Sequence, residues 1–311
     1  MSGWSDLYDW MLTRNVLQEV DTLFPEGEPG EATAEDGTGL HYITLGEGLP
    51  FVFCNGVVCT YTFFHFAKDY FRERCRMLFW DYRGHARSDV PDDLKSINME
   101  NHARDLAAVM DAAGMEKAVL LGHSMGVMVL LEFYHLFPER VKALVLLDGP
   151  YKRAFSLFCR AQEFHRFAHC LLGMLSRHTC LVSWTRPVMV LPIDFMVAKL
   201  VEVNPQFCPK KEMDLYFRNI VYMDQAAAFR ALQAMSIYSA EDILPEVDVP
   251  SLVINGDKDD WAPMDQAWDM YEEIADSSLL VIPGGSHATP IEFPAMVNMG
   301  IDLFLRNHHF L

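Results

Sequence analysis

The chain lacks a C-x-x-C pair. Its seven cysteines (Cys54, Cys59, Cys75, Cys159, Cys170, Cys180 and Cys208) are odd in number and scattered. That pattern offers neither a disulfide framework nor a thiolate metal site, and the opening residues carry no secretory leader pattern. Free thiols in a reducing, cytoplasmic compartment are the expectation. Long apolar runs are also missing. The best candidate, Val188–Val201, is interrupted by Pro192, Asp194 and Lys199, and a membrane span needs ~18 uninterrupted apolar residues. No integral membrane segment is therefore expected. Repeats and low-complexity tracts are absent, which excludes solenoids and coiled coils. Positive charge is scarce: 25 Lys and Arg stand against 43 Asp and Glu, for a net charge of −18. Such a surface repels phosphate backbones, so nucleic acid is excluded as a partner.

What is present suits a globular chain. Its 311 residues are 51% hydrophobic and 22% charged, enough to bury one large core or two smaller ones. The charge is uneven. Between Tyr151 and Ala240, eleven Lys and Arg stand against six Asp and Glu, so a mildly basic stretch interrupts an acidic chain. Docking of that stretch on the acidic remainder accounts for it, with contact to an anionic substrate or surface as the other reading.

Hydrophobic periodicity divides the chain into three parts. Residues 1–24 form an N-terminal helical extension, with Trp4, Leu7, Trp10, Met11, Val16 and Val20 as its apolar positions. With Arg14 as its only cation, it is expected to pack on the body rather than lie on a membrane, and it leaves room for a homodimer. Pro25–Gly30 reads as a loop. Through 25–150, short apolar runs alternate with helical patterns. Leu40–Thr44, Leu49–Cys54, Met77–Trp80, Ala118–Leu121 and Val141–Leu147 are the strands. Met99–Ala113 and Met125–Phe137 are the helices. The alternation resumes over 241–311, with strands at Ser251–Asn255 and Ser278–Ile282 and helices near Met264–Ile274 and Pro290–Arg306. This is the pattern of an α/β core whose mostly parallel sheet is covered on both faces. Residues 151–240 read as helices rich in Phe and Met, inserted into that core as a cap.

The sharpest local signal is Gly122-His123-Ser124-Met125-Gly126, between a buried strand and a helix. Flanking glycines relieve the crowding of a strained serine that projects from the strand end, with the next N–H aimed at substrate. A serine nucleophile needs a base, and the base needs an orienting acid. Asn255-Gly256-Asp257-Lys258-Asp259-Asp260 and Gly284-Gly285-Ser286-His287 supply them, each after a later strand, in the order Ser, Asp, His. Open α/β sheets place their sites at such strand ends.

From about Gly39 to Arg306 the chain resembles the α/β-hydrolases with a helical lid. Leu49–Gly56 is similar to the family's strand and oxyanion turn, with Asn55-Gly56 where His-Gly is usual. Asp81-Tyr82-Arg83-Gly84-His85-Ala86-Arg87-Ser88-Asp89 is similar to its D-x-R-G-x-G-x-S-D segment, with Ala86 replacing a glycine as a loop variation. Gly256 to Asp259, followed by Pro263, and Gly284 to His287 are similar to its acid and histidine turns. The resemblance implies Ser124 as nucleophile, His287 as base and Asp259 as acid, with Asp148 as the alternative acid. It implies the backbone N–H groups of Val57 and Met125 as the oxyanion hole. Asn55, Gly56, Cys59 and His123 are the candidates for substrate contact, although His123 sits where a packing residue would and Cys59 could equally begin a core helix. Aspartate nucleophiles serve the related dehalogenases and epoxide hydrolases, so Ser124 turns the expectation to acyl transfer. The expected partner is a small lipophilic ester, with no cofactor and no metal; His165 and His169 have ligand spacing but no third ligand. Acyltransferase, thioesterase and carbon–carbon hydrolase chemistry keep the same residues, and a receptor with negligible turnover is the reading from another class.

Overall fold

Strand runs with apolar residues at every position can bury both faces of a sheet. The computed structural model describes residues 22–153, 162–177, 204, 206–209 and 223–311, and in it such runs form the centre of one eight-stranded sheet. The strands are β1 (Glu28–Thr33), β2 (Gly39–Leu45), β3 (Leu49–Cys54), β4 (Cys75–Trp80), β5 (Ala118–His123), β6 (Val141–Leu147), β7 (Ser251–Gly256) and β8 (Ser277–Ile282). Their order is β1-β2-β4-β3-β5-β6-β7-β8. β2 runs antiparallel to both of its neighbours, and every other pairing is parallel.

The two-residue period of a strand sends alternate side chains to opposite cores. Val52, Cys54, Leu78, Trp80, Leu120, Leu144 and Leu146 face one side. There they meet the buried residues of α2 (Met99–Ala112), α3 (Met125–Leu136) and α6 (Met264–Glu273). Phe51, Phe53, Met77, Phe79, Val119, Leu121 and Val145 face the other, against α1 (His65–Phe71) and α8 (Pro294–Asn307). The stacked pair Phe53 and Phe79 sits in this second core, with ring centroids 4.4 Å apart.

Two local expectations are corrected. The loop expected at Pro25–Gly30 gives way from Glu28 onward to β1, paired with β2 from Glu28–Thr44 to Thr33–Gly39. Proline is tolerated on an edge strand, and the glycine at 30 lets the Tyr42 ring lie over it, 2.3 Å from where a Cβ would stand. The single helix expected over Pro290–Arg306 is broken into α7 (Thr289–Glu292) and α8. Pro294 disfavours the α conformation in the residue before it, and Phe293 accordingly stands at φ −131°, ψ 51°.

The stretch 151–240 leaves and re-enters the core at adjacent points. Lys152 bridges Ser239, Arg153 N–H donates to Tyr238 O (2.8 Å), and Ala240 N–H donates to Tyr151 O (3.0 Å). Within it, α4 (Gln162–Arg177) and α5 (Gln225–Met235) pack together, with Gly173 against the Gln233 side chain. Most of the remaining cap expectation, the His165 and His169 side chains, and the N-terminal helix as far as Asp21 lie outside the described residues. Phe24 packs edge-on against Tyr61 and Phe79. Among the described residues no helix is long and apolar enough to cross a membrane, no cluster could hold a metal ion, and Cys54, Cys75 and Cys170 are free thiols.

Candidate active site

β5 is buried along its whole length and stops at His123. Ser124 follows at φ 55°, ψ −117°, and α3 starts at Met125. A non-glycine residue in that region is strained and persists only where its surroundings hold it. The hold is visible here. Ser124 N–H donates to Leu147 O (3.1 Å) and Ser124 O accepts from Val127 N–H (3.0 Å). A Cβ at Gly122 would lie 2.5 Å from Gly126 O, and one at Gly126 would lie 2.3 Å from Cys54 O. Both glycines let the elbow close against the end of β3.

His287 lies in the turn after β8. With Nδ1 facing a carboxylate, that nitrogen carries the hydrogen and donates to Asp259 Oδ2 (2.9 Å). Nε2 then accepts from Ser124 Oγ–H (2.9 Å). Asp259 Oδ1 is held by the N–H groups of Trp261 (2.8 Å) and Ala262 (2.9 Å). Asn255 Nδ2 braces the same loop by donating to Gly256 O and Ala262 O. Asp257 faces elsewhere and accepts from Gly284 N–H (2.7 Å), which ties the aspartate turn to the histidine turn.

The geometry separates the two acid candidates. Asp259 meets the imidazole. Asp148 is fully buried and clamps the two turns from below, accepting from Gly256 N–H (3.0 Å), Thr289 N–H (3.1 Å) and Thr289 Oγ. Burial and the charge of neighbouring Asp259 push the Asp148 carboxyl well up, against the pull of these donors. A second buried carboxylate, Glu292, grips the other side of the histidine turn through Ser286 N–H (2.8 Å) and Ser286 Oγ (2.6 Å). Burial raises its pKa as well. Asn204, from the inserted stretch, joins this group by donating to Ser286 Oγ, Glu292 and Gly284 O. Neither Glu292 nor Asn204 carries a local sequence signal, because their partners are distant in the chain.

Among the described residues the N–H groups of Val57 and Met125 have no hydrogen-bond partner. They stand at the two turns that Gly56 presses together, where a Cβ would lie 3.2 Å from Ser124 Cβ. They are thus available to an oxygen placed beside Ser124.

The four residues expected to contact substrate are all buried around these turns. Asn55 is fully buried; its Nδ2 donates to Trp80 O (2.9 Å), and its backbone O accepts from Tyr82 Oη–H (2.9 Å). These bonds frame the turn. His123 is also buried. Its ring stacks on Phe63 with centroids 4.3 Å apart, and Nε2 donates to His287 O (2.8 Å), so its task is to hold the histidine turn. Burial, and then the nearby His287, keep its pKa well below the usual range, so it stays neutral. Cys59 and Gly56 are buried too, with the Cys59 sulfur 3.3 Å from where a Gly56 Cβ would stand. Ala86, expected as a neutral loop variation, takes φ 42°, a conformation that favours glycine.

The arrangement sets a serine hydroxyl, an imidazole and a carboxylate in one hydrogen-bonded line, beside two N–H groups without a partner among the described residues. A family model described as alpha/beta hydrolase fold matches residues 50–294. Among curated relatives, epoxide hydrolase 1 of Caenorhabditis elegans is 20% identical over 275 residues, spanning 86% of this chain and 68% of that protein. Homoserine O-acetyltransferase of Thermus thermophilus is 42% identical over 106 residues, 30% of this chain and 28% of that protein. Among solved structures, a thermophilic esterase from Thermogutta terrifontis superposes with a TM-score of 0.73 at 23% identity, covering 91% of this chain and 99% of that one.

Proposed function

The chain belongs to the alpha/beta hydrolase fold family, and on that premise we propose that it is a serine hydrolase cleaving carboxylic esters of lipophilic small molecules. One observation carries the reading: the unbroken chain from Ser124 Oγ through the His287 imidazole to the Asp259 carboxylate, with both hydrogen bonds at 2.9 Å. In this reading Ser124 Oγ attacks the ester carbonyl as His287 Nε2 takes its proton. Asp259 holds the tautomer and stabilises the imidazolium that forms. The N–H groups of Val57 and Met125 receive the oxyanion, a contact of the kind whose loss costs roughly 3 kcal/mol. His287 returns the proton to the departing alcohol, and water then releases the acyl group by the reverse route. Epoxide opening through an alkyl-enzyme needs a carboxylate nucleophile, and position 124 is serine. The Phe- and Met-rich composition of 151–240 supports an apolar substrate, since such side chains make adaptable pocket walls.

A chain-length series of p-nitrophenyl esters, run on wild type and Ser124→Ala, tests the proposal. Turnover that peaks at one acyl length and drops at least about 1,000-fold in the variant is expected. A folded wild type with no ester turnover, or a variant equal to it, would overturn the reading. Acyl transfer to an alcohol is the second reading, favoured by the segment shared with homoserine O-acetyltransferase. Added acceptor alcohol would then divert product from acid to ester.

A further inference from the structure

The exit of β4 reaches across to the turn after β3 and grips it twice. Tyr82 Oη–H donates to Asn55 O (2.9 Å), and Val58 N–H donates to His85 Nε2 (3.3 Å). Val57, whose own N–H has no partner among the described residues, lies between the two grips. Val58 has φ 55°, in the left-handed region. That region is unfavourable for an L-residue, and for a β-branched side chain it is a genuine outlier. Something must therefore hold the turn in this conformation.

His85 is fully buried and its tautomer is decided by its neighbours. Nδ1–H donates to Arg83 O (3.2 Å), which leaves Nε2 a bare acceptor for Val58 N–H. Arg83 is itself locked, since Asp105 takes two of its hydrogen bonds and Asp36 and Ser96 share a third nitrogen. A rigid line thus runs from α2 through Asp105, Arg83 and His85 to Val58. We infer that His85 is a positioning residue that keeps the Val57 N–H aimed at the oxygen bound beside Ser124. The inference rests on the serine hydrolase reading. His85 touches no reacting atom; it acts through Val58.

Three variants separate positioning from packing. In His85→Gln the side-chain oxygen reaches the place of Nε2 and can accept from Val58. In His85→Asn the oxygen falls short, near Nδ1, and His85→Leu keeps bulk without an acceptor. We expect Asn and Leu to lower kcat about 100-fold, the scale of an ångström-sized misplacement, with KM within about threefold of wild type. Gln should recover most of the loss. A boronic acid that mimics the tetrahedral intermediate should bind more weakly in step with kcat/KM, while a ground-state product analogue binds as before. Folded Asn and Leu variants with wild-type kcat, or parallel losses for both ligands, would overturn the inference alone. A wild type inert to esters and to a fluorophosphonate label would overturn the hydrolase reading and this inference with it.

Discussion

At the scale of single residues, the core carries several polar groups with specific positions and unequal consequences. His102 is the clearest case. It is fully buried on α2 against the Tyr82 ring, and among the described residues neither ring nitrogen has a hydrogen-bond partner. Burial, then the charges of His85 and Arg83, hold its pKa well below the ordinary value. Between that depressed value and about 6.5, the unfolded chain binds a proton that the folded one does not. Stability is therefore lost as pH falls below about 6.5, at up to about 1.4 kcal/mol per pH unit for this one group. His102→Leu removes the effect and keeps the bulk. Denaturant melts of both proteins from pH 7.5 to 5 should show the variant gaining on wild type by that slope below pH 6.5. A constant difference across the range would contradict this account.

At the scale of elements, the site is made by turns pressed together, and glycines set how closely they approach. Gly126 begins the second turn-facing position of α3 against β3. A methyl group there would meet backbone, with Cys54 O at 2.3 Å and Asn55 O at 3.0 Å. Backbone at a strand end has little room to yield, so Gly126→Ala must push the Asn55–Val58 turn away from Ser124. Overpacking of this kind costs about 1–3 kcal/mol. Because the displaced turn carries the Val57 N–H, activity per folded molecule should fall further, by about 100-fold. Denaturant midpoints measured beside kcat/KM would separate the two effects. Unchanged kcat/KM in a destabilised variant would show that the turn does not serve the chemistry. Gly256 has the same task between the aspartate and histidine turns, where a Cβ would lie 2.3 Å from Gly285 O.

At the scale of the whole molecule, the net charge of −18 is spread on a body whose buried ion pairs, among the described residues, are few and local. Like charges on one surface repel and favour expansion, and salt screens that repulsion, with a Debye length of about 10 Å at 0.1 M. Raising sodium chloride from 20 to 200 mM should therefore raise the melting temperature, and more at pH 8 than at pH 5, where carboxylates begin to protonate. A melting temperature that falls with salt at both pH values would mean that surface ion pairs outweigh the excess charge. The same field disfavours anionic substrates and leaves neutral esters unaffected.

The elbow, the strand runs, the helix starts and the Ser–Asp–His order were legible in the sequence because each is written in neighbouring residues. A strand that is apolar at every position, a glycine two residues on either side of Ser124, and an aspartate or histidine just past a strand end all carry short-range signals. The edge strand β1 was not legible, since Glu-Pro-Gly-Glu-Ala-Thr has no strand pattern and pairs only because β2 lies beside it. The same holds within the site. The motif position of Asp259 left Asp148 as an alternative, and only the packing shows one carboxylate on His287 and the other beneath both turns. His123 belongs to the elbow by sequence but holds the carbonyl of His287, 164 residues away. His85 read as one position of a loop motif, and its bond to Val58 crosses 27 residues. Local periodicity and turn chemistry decide which elements form and where they end. Which side chain meets which depends on how those elements pack, and that is where Asp259, Asp148, His123 and His85 acquire separate tasks.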